Sequence, residues 1–271
     1  MKKTVVLGAV LALGLAPDAK APLDRLPADA AGAIVRRSID HTGGWGAWAA
    51  KKTVQFKKTV TVFNEDGSIK RKRVQLHRYE LSPGMKGRVE WEEDGKKYVL
   101  VNSGYHAAKL VDGQLATTVK DNNEARGATY GSHYVFGMPF KLTDAGVHLA
   151  HVGTEKLPGG VVAEKVRVTY DKGAGDSGGL HTWWYYFDKK TGRLVANNLK
   201  FEADKYDYTE YADERPVAGL LLPMKRFGFA GNAKGKTGRK TNEILYEDVR
   251  FDVPFAPALF ELPRGWKPPA G

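Results

Sequence analysis

The chain has 271 residues, a formal net charge of +11 and no cysteine. The lack of cysteine excludes disulfide bonds, cysteine-ligated zinc and a cysteine nucleophile, so the fold depends on an ordinary hydrophobic core. The positive charge favours anionic partners such as anionic lipid, acidic polysaccharide or nucleic acid.

The N-terminal segment has the layout of a secretory signal peptide. Two lysines precede residues 4–16, an uncharged and mainly apolar run, and a short polar region ends at Ala21. The run is shorter than the roughly 20 apolar residues that cross a bilayer. We therefore predict a signal peptide over residues 1–21, with a buried N-terminal helix as the alternative. Residues 22–271 then form a single exported domain, for which nucleic acid is not an expected partner.

Two helices are predicted next. Residues 28–41 place Ala30 and Ile34 at helical spacing, and a Thr-Gly-Gly sequence ends the pattern. Trp45 and Trp48 lie three residues apart, on one face of a short second helix.

Apolar and polar residues alternate from residue 53 onward. Asp-Gly pairs at 66–67, 94–95 and 112–113 are hairpin signals. This pattern predicts a meander of short antiparallel strands.

Residues 121–136 interrupt the alternation and predict a helix. Asp121 or Asn122 could cap it, with Glu124 in its first turn. Pro139 would end it.

Strand patterns resume after this helix, and the proline-rich tail is predicted to be irregular. The strand segments are VVAEKVRVTY, LHTWWYYFD, LVANNLKFEADKY, LLLPMKRFGFAG and TNEILYEDVRFD. In the second of them, alternation puts Trp183, Tyr185 and Phe187 on one face. Trp184 and Tyr186 lie on the other face, so both sides of this strand are expected to be covered.

Four phrases, IDHTGGWGAW, YVFGMPFKLTDAGVHLAHVG, WWYYFDKKTGRL and GLLLPMKRF, carry a family resemblance. Together with the order of elements, they resemble a bacterial branch of the lipoprotein-carrier half-barrel superfamily, which includes LolA and LolB. The resemblance implies a mainly β (α+β) fold, in which a curved antiparallel sheet wraps around one or two helices. It also implies an apolar cavity, which holds acyl chains in the carriers.

The aromatic and methionine-containing segment around residues 134–140 has two interpretations. It packs as core, or it lines a pocket for a lipid, since methionine and aromatic side chains suit adaptable apolar sites. The candidate lining residues are Trp45, Trp48, Tyr134, Phe136, Met138, Phe140, Trp183 and Tyr185. A slip of one residue in strand register would exchange the faces.

Three motifs are candidate sites of chemistry. Residues 175–179, GDSGG, repeat the serine-protease phrase around Ser177 but lack a suitably placed histidine, so a hairpin loop is expected. Residues 231–237, GNAKGKT, are one residue short of a phosphate-binding loop and precede a strand pattern. His148 and His151 have a spacing that suits one metal ion poorly on a strand. We therefore predict no catalytic residue, metal site or cofactor.

Three functional classes follow. The first is an exported, non-catalytic carrier of a lipid, acyl chain or other amphiphile, whose positive charge suits an anionic membrane surface. The second is an exported structural or interaction module whose cavity is filled by its own side chains. The third is a serine hydrolase that uses Ser177.

Overall fold

The computed structural model describes residues 21–81, 85–104 and 106–268. Apart from Ala21, the predicted signal peptide lies outside these residues. The helices are α1 (Ala30–His41), α2 (Trp45–Ala49) and α3 (Val119–Phe136), with 3-10 turns at Pro22–Arg25, Phe140–Thr143 and Pro257–Phe260. The strands are β1 (Thr53–Phe63), β2 (Ile69–Glu80), β3 (Lys86–Glu93), β4 (Lys96–Asn102), β5 (Ala107–Val111), β6 (Gln114–Ala116), β7 (Val147–Lys156), β8 (Val162–Tyr170), β9 (Thr182–Asp188), β10 (Leu194–Glu202), β11 (Lys205–Val217), β12 (Leu220–Asn232) and β13 (Gly235–Phe251).

All thirteen strands belong to one antiparallel sheet, which is curved and does not close. The strand order is β6-β5-β4-β3-β2-β1-β13-β12-β11-β10-β9-β8-β7. Each half is a meander of consecutive strands, and the pairing of β1 with β13 joins the two halves. Helix α3 connects the two edge strands, β6 and β7. The predicted mainly β fold, a curved sheet around helices, is confirmed. None of the helices in the described residues has the length and hydropathy needed to cross a membrane.

The short hairpins form where the sequence predicts them. Asp94, Gly95, Asp112 and Gly113 all have positive φ, as the tightest hairpin turns require. The corner at residues 64–68 is longer, because the Asp66 carboxylate accepts hydrogen bonds from Ser68 inside a five-residue loop.

One corner differs from the prediction. The segment LVANNLKFEADKY, read as one strand, turns at residues 203–204 and continues as β11. This turn contains neither glycine nor proline, and an ion pair between Glu202 and Lys205 spans it. The two strongest turn residues are therefore missing, and Asp204 alone is a weak signal.

Helix α1 is amphipathic as predicted. Asp29 caps it by accepting a hydrogen bond from the backbone N–H of Gly32 (3.1 Å). Its inner face buries Ile34, Val35 and Ile39 in the main core. Gly32 is required by close packing, since a Cβ there would lie 1.9 Å from a backbone oxygen.

Helix α3 starts earlier than predicted, because Thr118, rather than Asp121 or Asn122, is its N-cap. One face of the helix packs on the β2–β5 half of the sheet. There, the Tyr79 hydroxyl donates to the Thr129 carbonyl (3.2 Å), and the Asn102 amide donates to the Thr129 hydroxyl (3.0 Å). These bonds fix the helix across the concave side of the sheet and leave a neighbouring helix face directed towards the other half.

Strand β9 is covered on both faces, as its alternation predicts. Trp183, Tyr185 and Phe187 belong to the main core on the concave side. Tyr186 lies in a second, smaller cluster on the other side, with Trp184 packed against it.

Candidate functional site

A cleft of about 300 Å³ lies between α3 and the concave face of the sheet. We call it the α3 cleft. The helix lines it with small side chains, Gly127, Ala128, Gly131 and Ser132, and with Val135. Strands β9–β13 and β1 line the other side. The volume is at the lower end of the range of about 300–1,000 Å³ that is typical of small-molecule sites.

Strand register brings the sheet residues of the α3 cleft together. Trp183 is paired with Leu199, and Leu199 with Asp207. Arg226 is paired with Ile244. Directly paired residues project on the same face of a sheet, so apolar and charged side chains share this concave surface.

Two helical glycines keep the α3 cleft open. A Cβ at Gly127 or Gly131 would meet no heavy atom within 4 Å. Glycine inside a helix is less favourable than alanine by roughly 0.5–1 kcal/mol. Packing therefore does not require glycine at these two positions, and its effect there is to leave space.

The α3 cleft carries buried positive charge. Arg226 is 4% exposed and donates from Nη2 to the carbonyl of Val135 (2.7 Å). Lys58 is half-buried and donates from Nζ to Oγ of Ser132 (3.0 Å). Burial, assisted by the charge of Arg226, lowers the pKa of Lys58 from 10.5 to about 8.

A second cleft, of about 340 Å³, opens where the β8–β9 loop approaches α3. Asn102, Arg126, Tyr130 and Ser177 are among its lining residues, so it is more polar than the α3 cleft. The two clefts share Gly127.

A third pocket, of about 210 Å³, lies beside α2. Trp45, Trp48 and Phe140 line it, and the rings of Trp48 and Phe140 stack with centroids 4.7 Å apart. His133 also lines it, with both ring nitrogens buried and without a hydrogen-bond partner. Burial and the nearby charge of Lys141 hold the pKa of His133 well below its usual range, so its imidazole is neutral.

Comparisons with known proteins bear on the fold. A model of a family of unknown function, DUF6503, matches residues 108–222, which is less than half of the chain. No curated protein matches significantly. Among solved structures, a DUF1329 family protein from Desulfovibrio piger matches with a TM-score of 0.57 and 11% identity, over 86% of this chain and 98% of that one.

Two further structures carry names from the carrier superfamily. A LolA superfamily protein from Nitrosomonas europaea matches with a TM-score of 0.53 and 10% identity, over 83% of this chain and 94% of that one. A Vibrio parahaemolyticus domain named for outer membrane lipoprotein sorting matches with a TM-score of 0.52 and 12% identity, over 84% and 94%. The chain has the LolA-like half-barrel fold. At these identities the likeness concerns the fold alone.

Within this LolA-like fold, the eight candidate lining residues are dispersed. Trp183 lines the α3 cleft, whereas Trp45, Trp48 and Phe140 line the pocket beside α2.

Phe140 and Trp183 belong to the main core as well as lining these pockets. The other four candidates lie in the main core only: Tyr134, Phe136, Met138 and Tyr185. The Phe136 ring stacks on that of Phe56 with centroids 4.5 Å apart. The Tyr134 hydroxyl forms a hydrogen bond with that of Tyr170 (2.8 Å). None of the four is a lining residue of the described clefts, so we do not carry them forward as ligand contacts.

The GDSGG phrase lies in the β8–β9 loop, as predicted. The Ser177 hydroxyl oxygen accepts a hydrogen bond from the backbone N–H of His181 (2.9 Å). Nδ1 of His181 lies 2.9 Å from a carboxylate oxygen of Asp176. Among the hydrogen bonds of the described residues, none joins Ser177 to an imidazole nitrogen.

The other two motifs are accounted for by local structure. Residues 231–237 form the β12–β13 hairpin and are followed by a strand. His148 contacts Asp171 (2.7 Å) and His151 contacts Glu164 (2.9 Å), so the two histidines have separate carboxylate partners.

Sequence analysis did not identify Lys58, Arg226 or Gly131 as site residues. A signal for Lys58 was present, because Val54, Phe56 and Lys58 alternate along β1 and a core-facing lysine is unusual. Arg226 carried the same signal, because Leu222, Met224 and Arg226 alternate along β12. Gly131 carried no comparable signal, because its role depends on where α3 crosses the sheet.

Proposed function

We propose that this chain is an exported, non-catalytic protein that binds an amphiphile, a lipid or an acyl chain, in the α3 cleft. The observation that supports this most is the cleft itself, an apolar and cationic space inside a LolA-like half-barrel. Val135, Trp183, Leu199 and Ile244 provide apolar contacts for a hydrocarbon chain. The predicted signal peptide places the protein outside the cytoplasm, and its net charge, +11 for the whole chain and +9 without residues 1–21, favours binding beside anionic lipid surfaces.

Gly131 offers a direct test, because a side chain at this position would extend into the unfilled space of the α3 cleft. Leucine at this position would place three more carbon atoms than alanine into a cleft of about 300 Å³. We expect Gly131→Leu to weaken binding of a dodecyl-chain ligand by on the order of tenfold or more. Gly131→Ala, which adds one methyl group, is the matched control and should bind nearly as tightly as the parent protein.

The measurement combines ligand titration with analysis of what the purified protein carries. Organic extracts of the parent protein, examined by mass spectrometry, should contain lipid, and extracts of Gly131→Leu should contain much less. A parent protein that carries no lipid and binds no dodecyl-chain ligand would contradict the proposal.

A specific observation favours a second candidate, an exported interaction module with a filled core. Six of the eight candidate lining residues belong to the main core, and the two clefts beside α3 have volumes of only about 300 and 340 Å³. In that case Gly131→Leu and Gly131→Ala would behave alike in every lipid assay.

A further inference from the structure

The α3 cleft holds two cationic side chains without an anionic partner among the described residues. No ion pair of those residues includes Lys58 or Arg226. Lys58 donates to the Ser132 hydroxyl, and Arg226 donates to the Val135 carbonyl. Both partners are neutral, so neither compensates a full positive charge.

The surroundings of Arg226 make this unusual. Its guanidinium lies about equally over the rings of Tyr211 and Tyr246, 5.0 Å from each centroid. Its Nε is buried and has no hydrogen-bond partner. Buried charges in proteins are normally paired, because moving a charged group out of water costs free energy that only a partner of opposite charge can offset.

The two cations also act on each other. The charge of Arg226 contributes to the lowered pKa of Lys58, which indicates mutual repulsion. The cleft's one acidic lining residue is Asp207 on β11, which is exposed at the residue level but has a pKa raised by partial burial of its carboxyl group, and it shares no ion pair with either cation. The nearby neutral groups are His77, whose pKa burial lowers well below its usual range, and the hydroxyl of Tyr246, whose pKa burial raises.

We propose that Lys58 and Arg226 bind the anionic head group, a carboxylate or a phosphate, of the amphiphile in the α3 cleft. This inference rests on the proposed function and assigns the ligand a charge and a direction. The head group lies at the Val135 end of α3, beside the two cations. The hydrocarbon chain runs along the small residues Ala128 and Gly131, beside Trp183 and Leu199. Arginine and lysine are the side chains that best bind these anions.

Four probes of the full chain separate the contributions: dodecanoate, dodecyl phosphate, dodecanol and inorganic phosphate. We expect the two anionic amphiphiles to bind at least about tenfold more tightly than dodecanol, as a charge-assisted hydrogen bond predicts. Inorganic phosphate should bind much more weakly than dodecyl phosphate. Equal binding of the two phosphates would overturn the inference, because the site would then be one for free anions.

Variants test the residues. Lys58→Met should weaken dodecanoate binding by about tenfold or more and leave dodecanol binding nearly unchanged. Lys57→Met is the matched control: Lys57 is the neighbouring residue, lies exposed and pairs with Asp248 (2.8 Å). It should change neither affinity. Arg226→Gln should likewise weaken dodecanoate binding by about tenfold or more and leave dodecanol binding nearly unchanged.

The results distinguish this inference from the proposed function. Suppose that dodecanol and dodecanoate bind with equal affinity and that Lys58→Met changes neither affinity. The proposal of a cationic head-group site is then wrong, whereas the proposal that the α3 cleft binds an amphiphile is still supported. If none of the dodecyl ligands binds, both are wrong. The comparison of dodecanoate with dodecanol uses the parent protein, so it decides the question even if the Arg226 variant does not fold.

Discussion

Replacing Lys58 by methionine should stabilise the ligand-free protein near neutral pH. Burial and the charge of Arg226 lower the pKa of Lys58 from 10.5 to about 8. That difference corresponds to about 3 kcal/mol of disfavoured charge in the folded state. Methionine has a similar length and no charge, but it loses the hydrogen bond to Ser132, worth about 1 kcal/mol. We therefore expect the free energy of unfolding to rise by about 2 kcal/mol at pH 7.

The pH dependence follows from the same pKa. Since the folded pKa lies below the unfolded one, the unfolded state binds more protons between pH 8 and about 10.5. The parent protein therefore gains stability across this window through Lys58, and the variant does not. The advantage of Lys58→Met should shrink as the pH rises from 7 to 10.5.

Urea unfolding at several pH values, followed by tryptophan fluorescence, measures both effects. Lys57→Met is again the control, because its hydrogen bond and ion pair with Asp248 raise the pKa of Lys57 and its charge is favourable. It should not stabilise the protein at pH 7. A Lys58→Met variant that is less stable than the parent at pH 7, or whose advantage does not change with pH, would refute the reasoning.

Four other single substitutions are checked by the same unfolding assay unless stated. Gly131→Ala should raise the free energy of unfolding by roughly 0.5–1 kcal/mol, because the added methyl group meets no atom. Gly32→Ala, the same change in another helix, should lower it, because the Cβ would lie 1.9 Å from the Pro27 carbonyl oxygen; equal effects at the two sites would contradict the packing described. Phe136→Ala should lower the free energy of unfolding by about 3–5 kcal/mol, because the ring stacks in the main core, and a loss below about 1 kcal/mol would show that the ring is not packed there. Ser177→Ala should leave labelling by a fluorophosphonate probe unchanged at background, and labelling of the parent that disappears in this variant would instead establish a serine hydrolase.

Features set by neighbouring residues were predictable from the sequence. The Asp-Gly corners at residues 94–95 and 112–113 form tight turns because their backbone conformations are local properties. The faces of β9 follow from simple alternation. The corner at residues 203–204 was missed because it lacks glycine and proline, and the N-cap of α3 was missed because Thr118 lies outside the predicted segment.

The candidate site was less predictable, because it depends on contacts between distant parts of the chain. Residues that line the α3 cleft come from β1, α3 and the strands β9–β13, so they share a surface only once β1 pairs with β13 and α3 crosses the sheet. Aromatic residues such as Tyr134 and Tyr185 were consistent with core or pocket from the sequence, and the structure places them in the main core. No sequence pattern marks Gly131 as a site residue, because it contributes to the cleft by lacking a side chain.

The most direct test of the central claim is to map where a bound amphiphile lies. A twelve-carbon fatty acid with a diazirine in its chain can be photo-cross-linked to the full protein, and the labelled residues can be identified by mass spectrometry. An amphiphile in the α3 cleft predicts labels on Ala128, Val135 and Leu199. Labels confined to exposed apolar residues such as Ile69 and Leu180, or no label at all, would contradict the account.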